Sequence, residues 1–149
     1  MKDMSAQIYF TAVPAQVVDV VWPQAKELLN KAVQIAPAAY NIEYVYEKLK
    51  DGTYGLWLVM DETTPVAAVT TRISHYPTGA KCLALDLLGG DRMFEWLPMV
   101  QDTMEQYAKD NGCSHLEGYG RKAWGRALKK FGWKPDFIAY KMELTDGNV

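Results

Sequence analysis

Residues 81–144 read as strand, glycine turn, helix, strand, helix, strand, and this order constrains the fold more than any single residue. KCLALDLL is a short, nearly continuous apolar strand running into Gly89-Gly90. MVQDTMEQYAKDNG is an amphipathic helix with a glycine stop, and HLEGYG is a second strand. RKAWGRALKKFGW is a second helix closing on Gly132-Trp133, and DFIAYKMEL alternates as a last strand. Two strands joined through a helix lie parallel, with the helix on their face. Ligands of such units sit at the carboxyl ends of the strands, beside a helix amino terminus.

A chain of 149 residues is expected to form one domain over residues 1–149. Its 49% apolar share, with five tryptophans and nine tyrosines, supports an aromatic-rich core. The formal charge of -2 argues against a general nucleic-acid or acidic-membrane binder. No apolar run approaches the roughly 18 residues of a spanning helix, and MKDMSAQIYF lacks the apolar stretch of a signal peptide. Cys82 and Cys113 form no metal-spaced pair, which points to free thiols in a reducing, cytoplasmic setting. No Ser–His–Asp order, metal-ligand cluster or phosphate-binding P-loop appears, so no metal is expected.

Upstream, residues 7–12 read as a first strand and Pro14 opens a helix. Pro23 breaks or restarts that helix, and Leu28, Leu29, Ala32, Val33 and Ala36 carry its apolar stripe onward. Asn41 is the expected N-cap of a helix with Ile42, Val45, Tyr46 and Leu49 on one side, stopped by Asp51-Gly52. Residues 54–60 and 66–74 form a hairpin across a turn at 61–65. The whole is an α/β (α+β) domain with a mixed, mostly antiparallel sheet of about six strands, helices on both faces and a central parallel pair.

Asp86 interrupts an otherwise apolar strand, and alternation puts Cys82, Ala84, Asp86 and Leu88 on one face. A carboxylate there either takes a proton from an amine or pairs with an arginine. Glu117 and Tyr119 share a face of the neighbouring strand, where Tyr119 offers a hydroxyl proton or packs as an ordinary aromatic. Arg121 grips an anion at the strand–helix corner or pairs Asp86 or Glu117. Lys122, Arg126, Lys129 and Lys130 form a basic stripe, either phosphate-binding or simply solvated. His75 and His115 are isolated, with no acid or nucleophile at useful spacing.

The segment 121–133, with Ala123 or Ala127, Phe131, Gly132 and Trp133, resembles the fourth helix of the GNAT superfamily of acetyl-CoA-dependent N-acyltransferases. The family's common form there is Asn-x-x-Ala-x-x-x-Tyr-x-x-x-Gly-Phe. The length from Leu83 to Gly112 is similar to its cofactor-binding strand–loop–helix. Gly120-Arg121-Lys122-Ala123-Trp124 resembles a segment of small GNAT-like proteins encoded by bacteriophages, which implies an infected bacterial host as the location.

The resemblance implies acetyl transfer from acetyl-CoA to a primary amine on a small molecule or protein, with Asp86, Glu117 and Tyr119 in the proton chemistry. It implies a cofactor held at Leu87, Leu88, Gly89, Gly90 and Arg92, with Arg121 and Arg126 toward its phosphates. Two departures imply instead a catalytically inactive structural or host-interaction protein that binds a protein partner. The phosphate loop, normally Arg or Gln, two spacers, Gly, one spacer and Gly or Ala, here reads GGDRMFEWLP, with Phe94, Glu95 and Trp96 where small residues belong and Pro98 removing an amide donor if it lies in the first turn. Each lost charge-assisted bond weakens binding by roughly 1.5–3 kcal/mol. Leu128 stands where the family often carries its acidic tyrosine.

Overall fold

The computed structural model describes residues 7–35, 39–119 and 124–145. It divides into two compact units, Met1–Tyr119 and Gly120–Val149. The first unit holds strands β1 (Ile8–Val13), β2 (Gly55–Asp61), β3 (Thr64–His75), β4 (Lys81–Gly90) and β5 (His115–Gly118), in that spatial order. Its helices are α1 (Val18–Val33), α2 (Ile42–Lys50) and α3 (Met93–Asp110), with a short 3-10 turn at Ala15–Val17. All pairings are antiparallel except β4 with β5, as the intervening helix requires. No helix among the described residues is long and apolar enough to cross a membrane.

The α1 stripe drives one half of the core. Ala25, Leu28, Leu29 and Val33 are buried together with Val45 and Leu49 of α2 and with Leu56, Leu58, Ala68 and Leu87 of the sheet. A fully buried leucine such as Leu29 contributes about 1.5–3 kcal/mol relative to an exposed one. Pro23 does not break α1, which runs through it. Placed in the second turn, the proline removes a single backbone bond while the apolar stripe holds both sides to the sheet. Asn41 caps α2 as its side chain accepts from the Glu43 and Tyr44 amides at 2.9 and 3.1 Å. The alternate residues of the strands meet α3, which buries Trp96, Leu97, Val100, Met104 and Ala108, and Trp57 of β2 meets Tyr107 edge-on at 5.1 Å.

One irregularity sets the shape of the site. β3 pairs Thr70 with Leu87 and Thr71 with Leu85, so Asp86 is the extra residue of a β-bulge. The bulge shifts the alternation. Asp86 and Leu87 both lie on the α1–α2 side, whereas Leu88 pairs with Val69 and shares the α3 side with it. The expected face of Cys82, Ala84, Asp86 and Leu88 is therefore corrected at its last member, because period-two parity fails across an inserted residue.

In the second unit, α4 (Trp124–Lys129) ends in a turn closed by Gly132 at φ 91°, the left-handed stop expected after a helix. Residues 136–144 form no strand, contrary to the alternation of DFIAYKMEL, and Phe137, Ile138, Tyr140, Met142 and Leu144 are exposed. Alternation makes a strand only where a neighbour supplies the ladder, and no ladder bond to this segment occurs among the described residues. The sheet accordingly has five strands among the described residues.

Candidate functional site

β4 and β5 stay paired from Cys82↔His115 through Leu83↔Leu116 and Ala84↔Glu117 to Leu85↔Gly118, and no further. Beyond that point residues 86–90 keep only β3 as a neighbour among the described residues. The bulge at Asp86 begins where the parallel pairing stops. Among the described residues the pairing of β4 with β5 ends there, at the strand ends where ligands of a βαβ unit usually sit.

Beside this end of the pairing lies a cavity of about 240 Å³ lined by Tyr40, Asn41, Tyr44, Val45, Tyr54, Arg72, Asp86 and Tyr119, among others. Asp86 is 9% exposed, and its Oδ2 accepts from Arg72 Nε at 2.6 Å. The ion-pair reading of Asp86 is thus realised at the cavity wall. Burial opposes the Arg72 charge, but the adjoining Asp86 carboxylate outweighs it and the guanidinium pKa is raised. Burial also pushes the hydroxyls of Tyr40, Tyr54 and Tyr119 above the usual tyrosine value, with the Glu117 charge adding to the effect on Tyr119. These phenols hold their protons firmly.

Glu117 stands one residue pair behind the cavity and is the hub of a second polar group. Its Oε1 accepts from the Tyr76 hydroxyl and lies 3.0 Å from His115 Nε2, while its Oε2 accepts from Tyr119 Oη at 3.3 Å. Tyr119 therefore links the two: it lines the cavity and donates to Glu117. Asp86 and Tyr119 share the cavity as expected, and Glu117 reaches it through Tyr119. Sequence reasoning missed Tyr40, Tyr44, Tyr54 and Arg72. A usable signal was present in Arg72, a lone charge in the apolar run of β3 opposite the only charge in the middle of β4. His115, isolated in sequence, is brought beside Cys82 by strand pairing, and the extended β5 backbone puts it on the same side as Glu117.

The residues expected to hold a cofactor are distributed otherwise. Leu87 is buried against α1, and its amide donates to Thr70 Oγ1 at 3.1 Å. A Cβ on Gly89 would lie 2.2 Å from the Leu28 carbonyl oxygen of α1. A Cβ on Gly90 would lie 2.4 Å from the Val66 carbonyl oxygen of β3. The glycine pair is therefore accounted for by protein backbone packed against it. Arg92 donates from Nε and Nη2 to Glu95 at 2.7 and 3.0 Å and from Nη1 to Asp61 at 2.7 Å. The Glu95 and Asp61 partners hold its charge on.

At the start of α3 the Glu95 amide bonds back to the Arg92 carbonyl, and the buried Trp96 indole donates to Asp91 O at 2.7 Å. Pro98 lies in the second turn, so the first-turn amides are not diminished by it. Arg126 is on the exposed side of α4, and Arg121 lies outside the described residues. Among the described residues this end does not favour a diphosphate: Arg92 is neutralised by two carboxylates, Glu95 adds negative charge in the first turn, and the glycine space is filled.

No protein-family model and no curated protein matches the chain. Solved structures do. An aminoglycoside acetyltransferase, meta-AAC0020, from an uncultured soil metagenomic sample and in complex with sisomicin, superposes with a TM-score of 0.69 at 11% identity, over 96% of this chain and 100% of that one. A GCN5-related N-acetyltransferase from Ralstonia eutropha JMP134 gives 0.64 at 14% identity, over 91% and 98%. A predicted acetyltransferase from Clostridium acetobutylicum, crystallised with acetyl-CoA, gives 0.64 at 12% identity, over 91% and 96%. Likeness at these identities is a likeness of fold, and the mixed sheet with its parallel β4–β5 pair gives this chain the fold of the GNAT acetyltransferases.

Proposed function

We propose that this protein is an N-acyltransferase-like protein acting on a primary amine bound in the tyrosine-lined cavity. The carrying observation is the coincidence of three features: pairing ends at Leu85↔Gly118, the bulge falls at Asp86, and the cavity holding Asp86 and Tyr119 opens there. An alkylammonium ion suits a wall of phenol rings, whose faces attract cations. Arg72 holds the Asp86 carboxylate in place, so Asp86 orients the amine. Tyr119 Oη takes the amine proton as its own proton passes to Glu117 Oε2. Acetyl-CoA, the donor with which a fold neighbour was crystallised, supplies an activated acyl group when bound. Amine substrates of the aminoglycoside kind, as carried by another neighbour, are the first to test.

The poor fit of a diphosphate at α3 favours a second reading. In it the chain keeps the amine cavity, has lost transfer, and serves as a phage structural or host-interaction protein.

A thermal-shift titration with acetyl-CoA, paired with an acetylation assay on sisomicin, separates the two. Under the first reading, cofactor at about 100 times its Kd adds roughly 2.7 kcal/mol of stability. Turnover then falls at least tenfold in Tyr119→Phe with little change in melting temperature. A melting curve unmoved by millimolar acetyl-CoA, with no product, rejects the first reading in favour of the second.

A further inference from the structure

We propose that Cys82, His115 and Glu117 form a zinc site at the foot of the parallel β4–β5 pair, sharing Glu117 with the proton relay proposed above. Cys82 Sγ, one imidazole nitrogen of His115 and one carboxylate oxygen of Glu117 all lie within 4.8 Å of one another. Strand pairing produces the cluster: Cys82 faces His115 directly, and Glu117 is the next residue on the same side of β5. Thiolate, imidazole and carboxylate are the ligand types of zinc, and three protein ligands leave a fourth position for water. Bonds of about 2.0–2.3 Å in a tetrahedral arrangement hold ligand atoms about 3.3–3.8 Å apart, a spacing that small side-chain rotations reach from here.

The hydrogen bonds around His115 point the same way. Ser114 Oγ donates to the Lys81 carbonyl at 3.2 Å and lies 2.8 Å from His115 Nδ1. In the tautomer that carries its proton on Nδ1, the ring donates to the serine oxygen and turns Nε2 toward the cluster. Nε2 lies 3.0 Å from Glu117 Oε1. A cation held by both atoms suits that arrangement, and a serine-held Nδ1 is the usual outer support of a metal-bound histidine. Tyr76 Oη touches two of the three ligands, donating to Glu117 Oε1 and lying 3.7 Å from Cys82 Sγ, so it sits beside the open position. Cys82 is fully buried, while the His115 side chain is 44% exposed, so the ion enters from the histidine side. Glu117 Oε2 remains with Tyr119.

The test uses the full chain stripped with a chelator and titrated with zinc against a chromophoric competitor. One equivalent should bind, and the melting temperature should rise by about 5–10 °C at about 100 times Kd. Cobalt in place of zinc should give a thiolate charge-transfer band that disappears in Cys82→Ser. His115→Gln, at an exposed position that does not threaten folding, should weaken binding at least tenfold, and Ser114→Ala about tenfold. Absence of binding at micromolar free zinc overturns the proposal and leaves a proton as the bridge between His115 and Glu117. Binding that survives unchanged in both His115→Gln and Cys82→Ser overturns it equally, since the ion is then held elsewhere.

Discussion

The two ends of β4 carry opposite designs. Toward its start, Cys82 and Ala84 pair with polar residues of β3 and β5, and Asp86 borders an open cavity. Toward its end, Gly89 and Gly90 are pressed against the backbones of α1 and β3, and Arg92 is consumed by Glu95 and Asp61. The same strand thus borders an open polar cavity along one part and closed backbone packing along the other. The contrast teaches that one strand can carry a ligand-sized opening and a fully packed junction a few residues apart. It also shows that glycine at a strand–helix junction signals close approach without saying what approaches.

Three tests sharpen or break this contrast. The largest effect is expected from Gly89→Ala. Its Cβ meets a helix carbonyl that has no flexible side chain to yield, so α1 must shift. A loss of about 3 kcal/mol is expected, or roughly 6–12 °C in melting temperature. A neutral result would mean that the glycines are free for a ligand after all.

Arg72→Ala comes second. It leaves Asp86 buried without its partner, and about 2 kcal/mol should be lost in denaturant unfolding, less than for a fully buried pair because the Arg72 side chain is 32% exposed. Asp86→Asn combined with Arg72→Ala should recover part of that loss. If the double variant is no better than the single one, the pair does not carry the cavity wall.

The smallest effect belongs to the start of α3. Arg92 lowers the Glu95 pKa through its hydrogen bond. Because the folded pKa is depressed, the folded state binds fewer protons than the unfolded chain between the two values. The contribution is complete above the unfolded glutamate pKa of about 4.3 and disappears as pH falls through the folded value. Both groups are well exposed, so Glu95→Gln should flatten the acid limb of the stability curve only slightly, and added salt should erase the difference. An acid limb that is insensitive to Glu95→Gln at low salt would show that Arg92 is not held by it.

Much of the architecture was legible. The parallel β4–β5 pair follows from an intervening helix that can be recognised by its period and its glycine stop. Asn41 announces α2 because a short acceptor side chain at that position meets otherwise unpaired amides. The candidate site was only half legible. Asp86 and Tyr119 could be flagged as a charge and a hydroxyl on strand faces near the tips. Arg72 comes from β3, and Tyr40, Tyr44 and Tyr54 come from the approach to α2, α2 itself and the loop after it; nothing local marks the three tyrosines as its neighbours. The strand expected at 136–144 had the right alternation, yet alternation describes one chain's readiness and not the presence of a partner.

By itself, then, the sequence determined the helices and strands of residues 7–119 and the parallel sense of one pair, though not the state of 136–144, because periodicity, capping and connection length are local properties of a chain. Tertiary structure alone decided the bulge at Asp86, the reversal that sends Leu87 in place of Leu88 toward α1, the filling of the glycine corner and the gathering of Cys82, His115 and Glu117. Each of these depends on register between strands far apart in sequence, and a shift of one residue there exchanges the two faces of a sheet.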